Sequence, residues 1–309
     1  MMSCGSPKRN CDLLKPLELT DKPLFDQYAC RTPTKLSSYA FAPLYVWRDF
    51  FRFYWTIIDD RFCVFAKQGD DYFMPIMPMG GPPREKAIRE AYAFMLEESR
   101  AKQIVRIENV PASLLPIFRA MGFDATLKET EYLYEANALV QLKGNPYKSK
   151  RAAYNAFIRS YPSAEIRPYQ PTYLADCLSL YESWQQTRRA KYDDYIYQAM
   201  LDDSRSAHRT GLMNHEGLGL VGRAVFIDGK LKGYTFGYPL NSEVCCVLFE
   251  VTDLRMRGLA QFLFREFCRE QSANRFIHAM GDSGLAIIKQ VKLSYRPCER
   301  IPSYNIFYA

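Results

Sequence analysis

Hydrophobic positions along the 309-residue chain follow two periods, which together predict an α/β protein. Apolar runs rich in aromatic and β-branched residues predict strands at 55–58, 62–66, 72–77, 104–107, 127–134, 165–167, 219–227, 230–238, 244–249, 275–278 and 304–308. Apolar residues three or four positions apart predict helices at 20–28, 84–101, 111–121, 147–161, 171–184, 193–201, 257–271 and 283–292. The apolar run 39–47 fits either element, and the polar stretch 202–217 is expected to be a loop.

The most informative stretch of the pattern is 243–271. Its unbroken apolar run, 244–249, is typical of a strand covered on both faces. The strand ends in Glu250, a turn follows at 252–254, and a helix is expected to begin near Arg257. A strand, a short turn and a helix N-terminus together present free backbone N–H groups and the positive end of a helix dipole to an anion.

The turn carries the pattern Arg255-x-x-Gly258-x-Ala260. This pattern resembles the pyrophosphate loop of the GCN5-related N-acetyltransferase fold, which holds coenzyme A. The resemblance implies an acyl-CoA, acetyl-CoA in the simplest case, as co-substrate. The alternative is that the same residues form the basic start of an ordinary helix. The cofactor-binding residues that it implies are Val251, Arg255, Arg257, Gly258, Leu259 and Ala260.

The two halves of the chain repeat one arrangement, a helix end followed by an aromatic residue and a Tyr-rich strand. Nine positions separate Phe123 from Tyr132, and nine separate Tyr295 from Tyr304. One α/β unit used twice is the expected origin of such an echo, although two amphipathic segments can also resemble each other by chance.

We therefore expect two tandem acetyltransferase-like domains, each with a mixed central sheet flanked by helices. Residues 1–16 are expected to be a disordered tail, 17–135 the N-terminal domain and 136–309 the C-terminal domain. The active site is expected in the second domain, because Pro82 and Pro83 occupy the corresponding turn of the first and have no N–H to donate to a phosphate.

Three motifs stand in order along the second half. They are Leu142-x-Gly144-x-x-Tyr147-x-x-Lys150-Arg151-x-x-x-Asn155-x-Phe157, Phe249-Glu250-x-x-Asp253, and Asp282-x-Gly284 with Lys292-Leu-Ser-Tyr295-Arg-Pro297. Together they are similar to the family of the phosphatidylglycerol lysyltransferase C-terminal domain. The resemblance implies the tandem fold and the transfer of an acyl or aminoacyl group to an acceptor. The sequence departs from the family pattern at Val251, where Lys is usual, and at 278–280, where Asn-Arg-Glu is common.

Composition bears on the cellular compartment, on metal binding and on the possible partners. The nine cysteines are scattered without a C-x-x-C pair, which is typical of reduced thiols in a cytoplasmic protein. The three histidines show no zinc spacing, so no metal is expected. No apolar stretch approaches 18 residues, so no transmembrane segment is expected. The net charge of +7 permits an anionic partner such as RNA or lipid without requiring one.

Acyl transfer needs a base for the acceptor and an acid for the leaving group. Glu250, at the end of a buried strand, is the candidate base, because desolvation raises the pKa of a carboxyl; an ion pair with Arg255 or Arg257 is the alternative. Asp253 is the second candidate, although a turn Asp commonly caps a helix. Tyr295 is the candidate acid, with a core aromatic as the alternative.

The substrate-binding candidates come from the family resemblance. They are Asp282, Lys150, Arg151 and Lys292. Asp282 precedes a predicted helix, so capping is its alternative role. The basic segment 143–159 contains no acid and could contact tRNA or anionic lipid, although solvated charge is the usual explanation of such a helix face.

Three functional hypotheses follow. The first is an N-acyltransferase that moves an acyl group from acyl-CoA to a small-molecule or peptide amine. The second is an aminoacyl-tRNA-dependent transferase acting on a lipid, peptide or other acceptor. The third is a ligand-binding module that retains the fold without catalysis, suggested by the departures at Val251 and 278–280.

Overall fold

The computed structural model describes residues 14–191 and 195–308. Most of the predicted tail, 1–16, lies outside these residues. Its end is an exception, since Lys15–Pro16 forms a short strand, β1, paired antiparallel with the next strand of the chain. Disorder is therefore the wrong prediction for these two residues, because backbone pairing fixes them.

The strands after β1 are β2 (Arg52–Ile58), β3 (Arg61–Gln68), β4 (Asp71–Phe73), β5 (Ile107–Pro111), β6 (Phe123–Glu135), β7 (Glu165–Pro168), β8 (Val221–Ile227), β9 (Lys230–Pro239), β10 (Val244–Thr252), β11 (Phe276–Gly281) and β12 (Glu299–Tyr308). The helices are α1 (Lys22–Ala29), α2 (Phe41–Tyr45), α3 (Glu85–Glu98), α4 (Leu115–Ala120), α5 (Ala136–Gln141), α6 (Lys148–Ser160), α7 (Leu174–Arg189), α8 (Tyr195–Met213), α9 (His215–Leu218), α10 (Leu259–Glu270) and α11 (Ala286–Leu293).

Most predicted elements are present within a few residues of their expected ends. The ambiguous run 39–47 contains a helix, α2. The strand expected at 104–107 is misplaced, because Lys102–Ile104 forms a 3-10 turn and the strand, β5, begins only at Ile107.

The loop expected at 202–217 is wrong, because α8 continues to Met213 and α9 follows at once. The segment is polar in composition, yet Leu201, Ala207 and Leu212 are buried along one side of α8. Apolar residues spaced this widely are enough to bury a helix face, although they give only a weak periodic signal.

The described chain forms two compact units, and neither is a continuous stretch. The first contains the described residues up to 34, residues 51–127 and the described residues from 304 onward. The second contains residues 35–50 and 128–303. The predicted domain boundary between 135 and 136 stays a prediction.

The first unit is built around an antiparallel sheet in the order β1-β2-β3-β4. Its core is aromatic. The rings of Trp55 and Phe62 stack with their centroids 4.8 Å apart, and Phe25 packs edge-on against Phe62 at 5.7 Å. Aromatic pairs of this kind stabilise a core beyond the area that they bury.

The second unit contains strands in the order β6-β11-β10-β9-β8-β7. Within this row β10 and β11 run parallel, and the other neighbouring pairs are antiparallel. The β8–β9 hairpin turns at Asp228 and Gly229, both with positive φ, as the Asp-Gly signal predicted. The predicted fold class, α/β with a mixed central sheet flanked by helices, is confirmed.

Helices cover both faces of this sheet, as the apolar run 244–249 predicted. A Cβ placed on Gly233 or Gly237 of β9 would meet Leu263 or Phe267 of α10. The intervening Tyr234 points the other way, and its hydroxyl lies 2.8 Å from Nδ1 of His208 on α8. The side chains of a strand alternate between faces, so α10 and α8 lie on opposite faces of the sheet.

Candidate functional site

The candidate site lies where β10 and β11 separate. Their parallel pairing, as described, covers Val244–Cys246 of β10 and Phe276–His278 of β11. Beyond these pairs β10 continues to Thr252 and β11 to Gly281. In α/β sheets, ligands commonly bind in the crevice outside the carboxyl ends of parallel strands.

A β-bulge on β10 sets which side chains enter this crevice. Val247 pairs with Gly237 of β9 and Phe249 pairs with Phe236, which leaves Leu248 as an extra residue. An extra residue reverses the side-chain alternation of the strand that follows it. Val247 accordingly packs on the α10 side, whereas Phe249 stacks on His208 of α8. Glu250 therefore returns to the α10 side.

A cavity of about 300 Å³ occupies this opening. It is bounded by both strand ends, by α10, by α6 and by the α11 segment. Its lining residues are Tyr134, Lys150, Val247, Leu248, Phe249, Glu250, Ala260, Gln261, Phe264, Ala279, Val291, Lys292 and Tyr295.

Glu250 is the unusual group of the cavity. Its Oε2 atom is buried, and among the described residues it has no hydrogen-bond partner. Burial raises the pKa of this carboxyl to about 8. The alternative ion pair with Arg255 is not formed, because that guanidinium contacts Asp253. A buried carboxyl without a partner costs folding free energy, and such groups are frequent at functional sites.

Tyr295 follows α11 and lines the same cavity. Its ring packs edge-on against Phe264 at 5.0 Å between centroids. Burial, together with the nearby charge of Glu250, raises the pKa of the Tyr295 hydroxyl above its usual range. The phenol is therefore protonated near neutral pH and can act as a proton donor. Its aromatic contact also agrees with the core alternative, so its catalytic role stays a prediction.

Two lysines reach the cavity from different helices. Lys150 of α6 places its Nζ 4.1 Å from the centroid of the Tyr295 ring, and burial lowers its pKa. Lys292 of α11 donates to the carbonyl oxygens of Ala279 and Gly281 at the end of β11. Burial lowers the pKa of Lys292 to about 8. Lys292 thus fixes the end of β11, and Lys150 keeps its ammonium beside the candidate acid.

The structure separates Asp253 from this cavity. Its carboxylate accepts hydrogen bonds from Nε and the terminal nitrogen of Arg255, both at 2.9 Å, and from the Lys232 ammonium at 3.1 Å. Bonding to Arg255 holds the pKa of Asp253 well below its usual value. All three residues line a different, polar cavity of about 420 Å³. A carboxylate with these partners is a poor proton acceptor.

The predicted pyrophosphate loop is packed against α6. Gly258 has φ +90°, and a Cβ there would collide with the carbonyl oxygen of Ala153 and lie 2.9 Å from Cβ of Phe157. The α6 backbone therefore explains why glycine is needed at this position. Val251 and Leu259 are buried core residues.

The remaining loop residues fall into two groups. Ala260 lines the cavity that contains Glu250. Arg255 and Arg257 are exposed on the surface of the turn. The cofactor-binding roles of these residues stay predictions.

The other two substrate-binding candidates have structural partners. Arg151 donates to the carbonyl oxygens of Leu142 and Gly144, and so closes the loop before α6. Asp282 accepts the Tyr132 hydroxyl at 2.6 Å and the backbone N–H of Gly284 at 3.1 Å. Neither lines the cavity, and their substrate-binding roles stay predictions.

The departure at 278–280 has a structural counterpart. His278 is buried, its Nε2 lies 3.0 Å from Glu131, and its Nδ1 accepts the N–H of Met280. Glu131 also accepts the N–H and the hydroxyl of Ser37, each at 2.8 Å. Although burial acts in the opposite direction, these donors hold the pKa of Glu131 below its usual value. His278 thus takes part in a buried polar network.

Eight of the thirteen lining residues were not among the site residues predicted from the sequence, and Gln261 and Leu248 show two different reasons. Gln261 lies on the first turn of α10, one residue after the predicted loop, so its position beside that motif was an available signal. Leu248 gave no such signal, because the sequence of an apolar run does not show which of its residues is bulged.

The described residues contain neither a metal-binding cluster nor a membrane-spanning helix. Across 14–191 and 195–308, no group of three or more His, Cys, Asp or Glu side chains is arranged to hold a metal ion. In the same ranges, no helix has the length and hydropathy needed to cross a bilayer.

Residues 31–307 match the family described as phosphatidylglycerol lysyltransferase, C-terminal, and the chain belongs to this family. The match confirms the resemblance seen in the three sequence motifs. It covers most of the chain, including the first half, which lies before the three motifs.

One curated relative and two solved structures are similar to the chain. A protein of Mycoplasmoides gallisepticum is 28% identical over 170 residues, 54% of this chain and 53% of that protein, so the match spans about half of the relative's length. A conserved protein of unknown function from Bacteroides thetaiotaomicron VPI-5482 superposes with a TM-score of 0.85 at 24% identity, covering 96% of this chain and 99% of that one. L-PGS from Bacillus licheniformis gives 0.63 at 12% identity, covering 93% and 92%. At these identities the structures establish a shared fold.

Proposed function

We propose that the chain is an aminoacyltransferase that uses the cavity between β10 and β11. The aminoacyl ester of a tRNA is the donor, and a hydroxyl or amine of a lipid, peptide or small molecule is the acceptor. The observation that carries the proposal is the buried carboxyl of Glu250, which has no described partner and faces a cavity that also contains Tyr295 and Lys150.

The residues of the cavity suit such a transfer. Glu250, once deprotonated, accepts the proton of the attacking acceptor group as the bond to the carbonyl carbon forms. The ammonium of Lys150 stabilises the developing oxyanion. The ester C–O bond then breaks, and the Tyr295 hydroxyl donates a proton to the departing ribose oxygen. Glu250 returns its proton to solvent or to Tyr295.

Three observations favour an aminoacyl-tRNA over an acyl-CoA as donor. The family is named for lysyl transfer to phosphatidylglycerol. In addition, the packing of α6 accounts for Gly258 without a bound phosphate. The exposed cations of the basic segment, Lys143, Lys148 and Arg159, offer contacts for a polynucleotide backbone.

The test is a transfer assay with the full chain. Radiolabelled aminoacyl-tRNAs, lysyl-tRNA first, are incubated with vesicles containing phosphatidylglycerol or with soluble amines, and labelled product is counted. Glu250→Gln is expected to lower the rate by about 10²-fold or more. Glu243→Gln is the matched control, because its side chain precedes the same strand and is 62% exposed. Equal rates for wild type and Glu250→Gln would refute the proposed role of the cavity.

Transfer from acyl-CoA is the second candidate, favoured by the exposed Arg255 and Arg257 beside the N-terminus of α10. Calorimetric titration with coenzyme A and acetyl-CoA tests it. Binding that is lost in Arg257→Glu and kept in Arg275→Glu, an exposed cation before β11, would support this donor. No heat of binding in the wild type would exclude it.

The binding-module hypothesis makes a different prediction for the same proteins. It predicts ligand binding without turnover, and equal ligand affinity in the wild type and Glu250→Gln. Product formation that depends on Glu250 would therefore contradict it.

A further inference from the structure

The bulge that directs Glu250 into the cavity has little support from the sheet itself. Leu248 has no β9 partner in the described register, which resumes only at Phe249. A bulge residue is left out of the ladder of backbone hydrogen bonds, so neighbouring side chains must fix its conformation. The conformation of Phe249, between Leu248 and Glu250, therefore decides where the carboxyl points.

Phe249 is held from two directions on the face away from the cavity-lining helix α10. Its ring stacks on the imidazole of His208, with centroids 4.1 Å apart and planes 27° apart. One turn further along α8, a Cβ on Gly211 would lie 2.5 Å from Cε2 of Phe249, so the ring rests against the helix backbone. The carbonyl oxygen of Phe249 accepts the hydroxyl of buried Thr235 at 2.8 Å.

His208 is itself fixed in place. Its Nδ1 lies 2.8 Å from the Tyr234 hydroxyl, and its ring packs on Tyr181 at 4.6 Å between centroids. Burial lowers the pKa of His208 to about 3, so the imidazole stays neutral at ordinary pH. It therefore acts as an aromatic surface for Phe249. It is not among the residues that line the cavity.

We infer that His208, Gly211 and Thr235 are positioning residues that hold the bulge and, through Phe249, orient Glu250 for transfer. The inference rests on the proposed function of the cavity. It gives a role to His208, which lies in the segment 202–217 that was expected to be a loop. His208 and Gly211 act through the Phe249 ring. Thr235 bonds the Phe249 carbonyl oxygen and is also the register partner of Glu250 on β9. The loss of any of the three changes the setting of the carboxyl without removing it.

The experiment compares kcat, KM and the pKa of Glu250 in paired variants of the full chain. His208→Ala removes the stacking surface, and His208→Phe restores a ring. Thr235→Val removes the hydroxyl, and Thr235→Ser restores it. His208→Ala and Thr235→Val are expected to lower kcat by about 10-fold or more, since small displacements of reacting groups are costly, with KM nearly unchanged. His208→Phe and Thr235→Ser are expected to recover most of the loss.

A second measurement does not depend on turnover. Glutamate ¹³C-carboxyl signals are titrated by NMR, and the Glu250 signal is assigned by its absence in Glu250→Gln. Gly211→Ala, His208→Ala and Thr235→Val are expected to shift the pKa of Glu250 by more than half a unit. Ala207→Gly, which weakens the same helix at a buried position, is the stability control and should leave that pKa unchanged.

The outcomes separate the two proposals. If Glu250→Gln abolishes transfer while the positioning variants keep both kcat and the pKa of Glu250, the inference is overturned and the proposed function stands. If the wild type transfers nothing but the pKa shifts as expected, the positioning holds and the transfer proposal fails. If Ala207→Gly shifts the pKa of Glu250 as strongly as the positioning variants, the effect is general destabilisation and the inference is overturned.

Discussion

Glu250 and Asp253 stand three residues apart on one strand and turn, yet their surroundings are opposite. Asp253 accepts four hydrogen bonds from Arg255 and Lys232, which hold its pKa low. Glu250 has a buried oxygen without a described partner, and burial holds its pKa near 8. Both were candidate bases by their place in the chain. The difference teaches that available partners, more than closeness to a motif, decide which carboxyl can accept a proton.

The largest expected difference between the two carboxyls is in catalysis. Under the proposed function, Glu250→Gln lowers the initial rate of transfer by about 10²- to 10⁴-fold, because the base is lost. Asp253→Asn, made at the same turn, is expected to keep a rate within about 3-fold of the wild type. The Asp253 carboxylate is already bonded to Arg255 and Lys232, so it is a poor proton acceptor. Initial rates at saturating donor and pH 8.5 measure both. Equal losses in the two variants would contradict the assignment of distinct roles.

The pH dependence of the rate follows from the same carboxyl. Glu250 acts as a base only when ionised, so kcat/KM is expected to rise roughly tenfold from pH 7 to pH 9 with an apparent pKa near 8. Asp253→Asn is expected to leave this profile in place. A profile measured across that interval that is flat in the wild type would argue against Glu250 as the base.

Stability should separate the two positions next. The folded-state pKa of Glu250 lies above its unfolded value of about 4.3, so the folded state binds the extra proton and stability falls as pH rises from about 4 to 8. Glutamine does not ionise, so Glu250→Gln does not lose this stability as the pH rises. The variant is expected to be more stable than the wild type at pH 9 by roughly 5 kcal/mol, because a pKa difference of about 3.7 corresponds to about 1.36 kcal/mol for each pH unit, with a smaller gap at pH 5. Urea unfolding at the two pH values measures the difference, and a constant gap would contradict it.

Asp253 should show the reverse pH dependence and a smaller effect. Its folded-state pKa is lowered, so its contribution is present above the unfolded value of about 3.9 and is lost as pH falls through the folded value. Asp253→Asn is expected to cost about 1 kcal/mol at pH 7 and less at pH 2.5, where part of the contribution has already been lost. Urea titrations at both pH values, with Asp70→Asn as an exposed control in an ion pair, test this expectation.

The smallest effect is expected at Arg255, whose side chain is 80% exposed. Arg255→Gln should destabilise the fold less than Asp253→Asn, because solvent screens an exposed guanidinium. The difference from the wild type should shrink in 1 M salt. A larger loss than in Asp253→Asn would mean that Arg255 has a further role at this turn.

Much of the fold could be predicted from local patterns. The Asp228-Gly229 turn fixed the β8–β9 hairpin, and the apolar run before Glu250 marked a strand covered on both faces. The prediction failed at α8, whose buried face consists of widely spaced residues such as Leu201 and Leu212. The polar composition of 202–217 led to the loop prediction, because the widely spaced apolar residues gave only a weak helical period. Tertiary packing of those residues stabilises the helix.

The site could be predicted only in part. Glu250, Tyr295, Lys150 and Lys292 were named from motifs that are far apart in the chain, and the structure places all four around one cavity. Their convergence depends on β11 lying next to β10 in the sheet, and no local sequence pattern predicts this pairing. The bulge at Leu248 was equally invisible, and so was the packing of Gly258 against α6, while the phosphate-binding role of Gly258 stays a prediction.

The interleaving of the two compact units affects how the chain can be synthesised and dissected. The first unit needs residues from 304 onward, so on the ribosome it cannot be completed until all of the second has been made. A protein truncated before β12 would lack part of the first unit, although the missing residues are far from its other residues in sequence. Nonsense or frameshift changes that remove residues 304–308 should therefore damage the first unit, most of which precedes residue 128.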